Sequence, residues 1–287
     1  MAKGWCSMYK RKIERDEWQY QHTLTPHPDP DDFFMHAHDT YEILYIVSGG
    51  GTYLVESTAY PLQEGCVLLM RPGEVHCLQV DATKPYERIV LQFHENWLLH
   101  FNDLYRPLLT PFTRRTLGQN NLYSPSQYDS AFVLSCLDRI EAVNDDAMQT
   151  LMAQTVLPTI LSEFYKAYTD RQPNDEQRAA PHTRIQEILL YVNEHLLDEL
   201  SLDSLCERFY ISKTQLGRLF RTATGSTAWD YILVKRLVEA RRQILSGVPV
   251  TEASLQCGFR DYSAFYRAYK KRYGESPVLD RRRTMTK

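Results

Sequence analysis

The chain of 287 residues is notable first for what it lacks. No run of eighteen apolar residues occurs, so no membrane-spanning helix is expected. The N-terminus, MAKGWCSMYKRK, has no apolar core that could serve as a secretion signal. Its cysteines, Cys6, Cys66, Cys77, Cys136, Cys206 and Cys257, form no C-x-x-C pair and no regular spacing. That argues against a zinc knuckle or a disulfide framework and for a reducing cytoplasm. No nucleophile with a partnered base and no phosphate-cradling glycine loop is found, so no catalytic residues and no cofactor are expected.

What is present is ordinary in total and uneven in place. Hydrophobic content of 43% and charged content of 24% are those of a globular protein. The length suits two domains, each with its own core. The net charge of −3 splits into two parts. Residues 181–287 hold 18 Lys+Arg against 12 Asp+Glu, leaving 15 against 24 for residues 1–180. A basic portion joined to an acidic one suits a DNA reader attached to a different kind of domain. Segregation of solvated charges by chance reads the same numbers equally well.

The basic portion contains a repeat. Ser212, Leu216, Arg218, Phe220, Arg221 and Gly225 recur 49 positions later as Asp261, Phe265, Arg267, Tyr269, Lys270 and Gly274. Each copy reads as a helix opened by a Ser or Asp cap and closed by a glycine. Leu216, Leu219 and Phe220, then Phe265, Ala268 and Tyr269, mark the buried stripes, with Arg218 and Arg267 off them. A short helix precedes each copy, at 202–209 and 251–257. The pairs therefore read as two helix-turn-helix units, 202–225 and 251–274, each with a second helix able to enter a major groove. Between them, residues 226–245 read as one helix of about 30 Å, close to the roughly 34 Å between successive major-groove faces. On the first recognition helix Lys213, Thr214, Gln215 and Arg218 are groove candidates; on the second, Tyr262, Ser263, Tyr266 and Arg267. Arg221, Lys270, Lys271, Arg241 and Arg242 suit phosphate contacts, which position without specifying.

Upstream, residues 1–30 read as a polar arm and loop. Short β-rich runs follow at 41–47, 52–57, 66–70, 75–80 and 86–93, broken by GGG at 49–51, Gly65 and Pro72-Gly73. Closely spaced strands argue a small barrel or sandwich. Helical patterns occupy 126–142 and 146–169, with stripes Leu134, Leu137, Ile140 and Leu151, Val156, Ile160, Leu161, Phe164. Pro158 should kink or interrupt the second. These helices could pack on the barrel or on a second copy of the chain. Residues 171–182 read as a linker, and a helix follows at 183–197. Tyr41, Tyr45 and Tyr53 suit either a core or a ligand platform.

Residues 183–283 resemble the DNA-binding region of the arabinose-regulator (AraC/XylS) family of bacterial transcription factors. The resemblance rests on Leu216, Arg218, Phe220, Gly225, Arg241, Leu245, Gly258-Phe259, Phe265, Tyr269-Lys270, Gly274 and Ser276-Pro277. Two departures stand in the first unit. Phe209-Tyr210 occupies the turn where such proteins often have glycine, and Gly217 stands where a longer base-reading side chain can sit. The N-terminal spacing His36-x-His38-x3-Glu42-x6-Gly49, then Gly65-x6-Pro72-Gly73-x2-His76, is similar to the two cupin motifs. Arg71 and Val80 replace a usual proline and asparagine of the second motif.

The resemblance implies two domains: an N-terminal all-β cupin-like barrel with appended helices, and a C-terminal all-α double helix-turn-helix. It places strands at about 20–95 and helices at about 95–169 in a ligand-sensing and dimerisation domain, 1–170. The DNA-binding domain is then 183–287. It implies a transcription activator in the cytoplasm, partnered by double-stranded DNA, RNA polymerase, a second copy of the chain and a small effector such as a sugar. His36, His38, Glu42 and His76 are the expected ligand-binding residues. They could instead hold Mn, Fe, Ni or Zn, as in a metalloenzyme or metal sensor fused to a DNA-binding domain. A constitutive architectural DNA-binding protein is a third reading.

Overall fold

A computed structural model describes residues 8–100, 102–170 and 183–285. The linker expected at 171–182 lies outside the described residues. The chain divides into two compact units: Met1–Phe34, Thr40–Arg71 and Leu78–Ala179 form one, and Met35–Asp39, Pro72–Cys77 and Ala180–Lys287 the other. No helix among the described residues is long and apolar enough to cross a membrane.

The strands are β1 (Met8–Glu14), β2 (Trp18–Thr25), β3 (Tyr41–Ser48), β4 (Gly51–Val55), β5 (Thr58–Leu62), β6 (Val67–Met70), β7 (His76–Val80), β8 (Tyr86–Phe93) and β9 (Leu122–Tyr123). They make a six-stranded sheet in the order β1-β2-β8-β3-β6-β9 and a three-stranded sheet in the order β5-β4-β7. Strand periodicity splits β3 between two cores. Tyr41, Ile43 and Tyr45 join the core that includes Val67, Leu69, Ile89, Leu91 and Phe93 on one face of the larger sheet. Leu44 and Ile46 join Tyr53, Val55, Leu68, Met70, Leu78 and Tyr86 between the sheets.

Helices α1 (Glu95–Leu99), α2 (Thr110–Thr113), α3 (Ser130–Glu141) and α4 (Asp146–Asp170) follow β8. The buried side of α3 and α4, including Val133, Leu137, Ile140, Val156, Leu157, Ile160, Leu161 and Phe164, shares the first core with the sheet. Their stripes thus pack on the barrel of the same chain. Leu151, expected on that stripe, is instead 48% exposed.

Three further expectations need correction. Residues 8–25 are strands, not an arm: β1 is a charged edge strand, and β2 buries Trp18 and Tyr20 against its neighbours. The run 52–57 ends at Val55, because Glu56 turns with φ 55, and the chain returns as β5. Pro61 hides that strand from a sequence reading, yet β5 is an edge, where a missing N–H is tolerated. Helix α4 runs unbroken through Pro158, with Leu157, Ile160 and Leu161 on either side fully buried. Packing there outweighs the one lost hydrogen bond.

The second unit is helical: α5 (Arg184–Glu194), α6 (Leu202–Phe209), α7 (Lys213–Thr224), α8 (Ala228–Leu245), α9 (Val250–Gln256), α10 (Tyr262–Tyr273) and α11 (Pro277–Met285). It has two apolar clusters. Ile188, Leu189, Val192, Leu205, Leu216 and Phe220 gather with Tyr231 and Ile232 of α8. Val250, Ala253, Cys257, Phe265 and Tyr269 gather with Leu237, Ala240 and Ile244, further along the same helix. Ala37 and Val75 complete the first cluster. Helix α11 has no counterpart in the sequence reading, and α5 stops at Glu194, short of the expected 197.

Phe164 is fully buried and packs against the rings of Tyr123 and Tyr128. Phe164→Ala should destabilise the N-terminal unit by about 3–5 kcal/mol, read as a fall in the denaturant midpoint without change in slope.

Candidate functional site

The two candidate recognition helices are closely matched. Helices α7 and α10 each have 12 residues and start at Lys213 and Tyr262, an offset of 49 (262 − 213). The Ser212 hydroxyl accepts from the Gln215 amide at 3.2 Å, and the Gln215 side chain accepts in return from the Ser212 amide at 2.9 Å. Asp261 accepts from the amides of Ser263 and Ala264, at 2.8 and 3.2 Å. Gly225 and Gly274 close the helices with φ 72 and 74, a conformation that a side chain would resist.

The apolar positions Leu216, Phe220, Phe265 and Tyr269 turn inward. Lys213, Thr214, Gln215, Arg218 and Arg221 are exposed on α7; Tyr262, Ser263, Arg267, Lys270 and Lys271 are exposed on α10, with Tyr266 half-buried. Two of these side chains already have partners. Gln215 caps its own helix, and Lys213 pairs with Asp203 of α6 at 2.6 Å.

The first unit's two departures have distinct physical meanings. Tyr210 ends α6 in the left-handed conformation, φ 49 and ψ 49, with its side chain 91% exposed. The turn therefore has the backbone shape that glycine supplies elsewhere, held here by a tyrosine at a steric cost. A Cβ at Gly217 would meet nothing within 4 Å, so this face of α7 is open beside Arg218.

Two arginines assigned to phosphate are otherwise engaged. Arg242 is bound by Glu239 through two hydrogen bonds, at 2.8 and 2.6 Å. Arg241 pairs with Asp280 at 3.2 Å and Asp39 at 3.3 Å, and lies 4.5 Å from the Tyr273 ring centre. Both carboxylates are buried, so Arg241 is an internal counter-charge. The Tyr269 hydroxyl donates to the same Asp280 at 2.6 Å. Burial, reinforced by that carboxylate, pushes the Tyr269 phenol far up from its ordinary value. Neither aspartate had a sequence signal, because each partner lies far along the chain.

Of the expected ligand residues, three imidazoles come together. His36 and His76 exchange main-chain hydrogen bonds of 2.9 and 2.8 Å. Their ring centres are 4.2 Å apart, and those of His38 and His76 are 5.1 Å apart. His76 Nδ1 donates to the Glu74 carbonyl at 2.8 Å, which fixes the proton on that nitrogen in the neutral ring. Glu42 lies on β3, almost wholly buried, and accepts from Gln92 Nε2 at 2.6 Å. Tyr41 and Tyr45 belong to the core shared with the helices, and Tyr53 to the core between the sheets. Cys66, Cys136, Cys206 and Cys257 are free thiols. Burial pushes the Cys257 thiol up to about 12.

The unusual residues at 210 and 217 make a stability test. Tyr210→Gly should raise stability by about 0.5–1 kcal/mol by relieving the left-handed strain. Gly217→Ala should add a similar amount, about 0.5–1 kcal/mol, by lowering the entropy cost of the helix. Unchanged or lower urea midpoints would contradict these assignments.

Comparisons with known proteins agree with this division. A helix-turn-helix domain model matches residues 205–283, and an AraC-like ligand-binding domain model matches residues 20–151. The HTH-type transcriptional activator RhaS of Escherichia coli O81 (strain ED1a) is 25% identical over 271 residues, 88% of this chain and 89% of that protein. The uncharacterized HTH-type transcriptional regulator YfiF of Bacillus subtilis (strain 168) is 22% identical over 253 residues, 86% of this chain and 78% of that protein. Among solved structures, apo ToxT from Vibrio cholerae aligns over 94% of this chain and 98% of that chain, with 13% identity and a TM-score of 0.40. With the two domain matches in this order along one chain, the protein belongs to the AraC-type transcriptional regulators that join an N-terminal ligand-binding domain to a C-terminal helix-turn-helix region.

Proposed function

We propose that α7 and α10 read two successive major grooves of one DNA duplex, and that a small polar effector controls how they do so. The observation carrying this is the pair of capped, equal-length helices flanking a single 18-residue helix. That helix is about 27 Å long, slightly less than the roughly 34 Å groove repeat. Arg218 and Arg267, exposed between the apolar stripes, are the proposed guanine readers. Lys213, Thr214, Gln215, Tyr262, Ser263 and Tyr266 line the same faces. Arg221, Lys270 and Lys271 supply the phosphate contacts.

The proposed effector is a sugar or a related metabolite, bound through His36, His38, His76 and the buried Glu42. RhaS proteins are named transcriptional activators, and the same outcome is proposed here, with RNA polymerase as the recipient, a homodimer as the acting form and the cytoplasm as its place. The coupling runs through Asp39. It follows His38 in the chain and pairs with Arg241 of α8, the helix between the two readers. An effector that prefers one arrangement of this segment shifts an existing equilibrium among DNA-binding states. A second reading, a metal-responsive site, draws on the convergence of three imidazoles.

Several measurements test these proposals. Arg267→Ala should weaken binding to a selected operator by about 1–3 kcal/mol and relax base preference at one position; unchanged selectivity would remove its reading role. Lys271→Ala should weaken all sequences alike and lower the salt slope by about one. A thermal-shift screen of sugars, sugar acids and divalent metals on the full chain should yield a ligand whose effect is lost in His38→Ala and Glu42→Gln. In Asp39→Asn that ligand should still raise the melting temperature but no longer change DNA affinity. Stoichiometric metal in untagged protein, lost in His38→Ala, would instead favour the metal site.

A further inference from the structure

Arg236 lies near the middle of α8, where residues serving the two apolar clusters interleave, and it is only 5% exposed. Its guanidinium donates to three main-chain carbonyls: Nε to Leu196 at 2.9 Å, Nη2 to Asp198 at 2.7 Å and Nη1 to Gly258 at 2.9 Å. Leu196 and Asp198 follow α5 and lead into the first helix-turn-helix unit. Gly258 follows α9, in the turn of the second. One planar fork therefore ties the segment that follows α5 to the turn that follows α9.

Position 258 is shaped around this contact. A Cβ there would lie 2.7 Å from Arg236 Cζ and 2.9 and 3.0 Å from the two Nη atoms, and φ is +76. A side chain and the guanidinium cannot occupy that space together. The buried apolar residues of the two halves form separate clusters on different faces of α8, and the fork adds a direct polar tie between the segment before the first half and the turn of the second. A buried cation is also a costly way to gain stability, since a well-packed apolar side chain often serves as well. What the fork adds is direction, because three carbonyls must be met at once.

We propose that Arg236 is a positioning residue: it fixes the separation of α7 and α10 and so makes the protein discriminate DNA sites by the spacing of their two halves. This rests on the reading of α7 and α10 as the two DNA-contacting helices. Helical twist makes spacing a stringent quantity, since one turn of duplex takes about 10–10.5 base pairs. A shift of two or three base pairs would carry the second half-site well around the duplex.

The test uses the full chain. Bound duplexes selected from a random library by the wild-type protein define a two-part site, and its halves are then moved apart or together by one to three base pairs. The wild type should lose about tenfold or more in affinity on the shifted sites, the scale of a mismatched base pair. Arg236→Met keeps the length without donors, and Arg236→Lys keeps the charge without the fork. Both should lose less than about threefold on the same shifts, while binding a single half-site as the wild type does. A variant that folds and retains the full wild-type spacing penalty would overturn the proposal. Equal binding of all spacings by the wild type would overturn it without any variant, which covers the case in which neither variant folds. Selection of no two-part sequence by the wild type would instead sink the two-groove reading on which this rests.

Discussion

Helix α8 has to serve two apolar cores and hold buried cations on the same 18 residues, and much of the C-terminal unit depends on that constraint. One face gives Ala228, Tyr231, Ile232 and Val238 to one cluster, and another gives Leu237, Ala240 and Ile244 to the other. Such a helix cannot be simply amphipathic, because two different faces are buried. Lys235 and Arg236 are each 5% exposed near the middle of the helix. Buried cations persist only where compensation is complete. Arg236 finds three carbonyls, and the Lys235 ammonium lies 5.3 Å from the Tyr231 ring centre. Arg241, one turn and a half further on, finds two carboxylates and an aromatic face.

In the N-terminal unit the corresponding constraint is the two-residue period of β3. A strand buried on both faces must be apolar throughout unless function intervenes. Here the outward residues Tyr41, Ile43 and Tyr45 meet the helices, while Glu42 shares its face with Leu44 and Ile46. A carboxylate at such a position needs a donor, and Gln92 supplies one from β8, directly opposite in the register. A second polar group is handled in the same manner. His22, mostly buried on β2, lies 2.6 Å from Glu141 and 2.7 Å from Glu87, one through each ring nitrogen. Hydrogen bonds from Lys10 and His22 outweigh the opposing effect of burial and hold the Glu87 carboxyl below its usual range.

The histidine-bearing segments 35–39 and 72–77 belong to the same compact unit as the DNA-binding helices. Ala37 and Val75 are buried in the first apolar cluster, the Ala37 carbonyl accepts from Arg272, and Asp39 pairs with Arg241. Asp39 and Asp280 thus share one guanidinium, and Tyr269 donates to Asp280. Such a network is all-or-none in character, since removing one member leaves another buried charge uncompensated. The proposed coupling runs through this network.

By itself the sequence determined the features that depend on neighbours close in the chain. Caps at Ser212 and Asp261, closing glycines at 225 and 274, and apolar stripes at helical spacing locate both helix-turn-helix units, because capping and amphipathicity act over four or five residues. The family's glycine position in the first turn was equally readable, and Tyr210 keeps its left-handed backbone. Where a local rule was overruled, packing was the cause: Pro158 stays helical beside fully buried neighbours, and Pro61 stays in a strand because that strand is an edge. Only the tertiary structure decided which charges are internal. Nothing within a few residues of Arg236 or Arg241 separates a buried cation from a phosphate contact. Their partners lie as far as 202 positions away, and a charge is assigned by what surrounds it after the chain has folded.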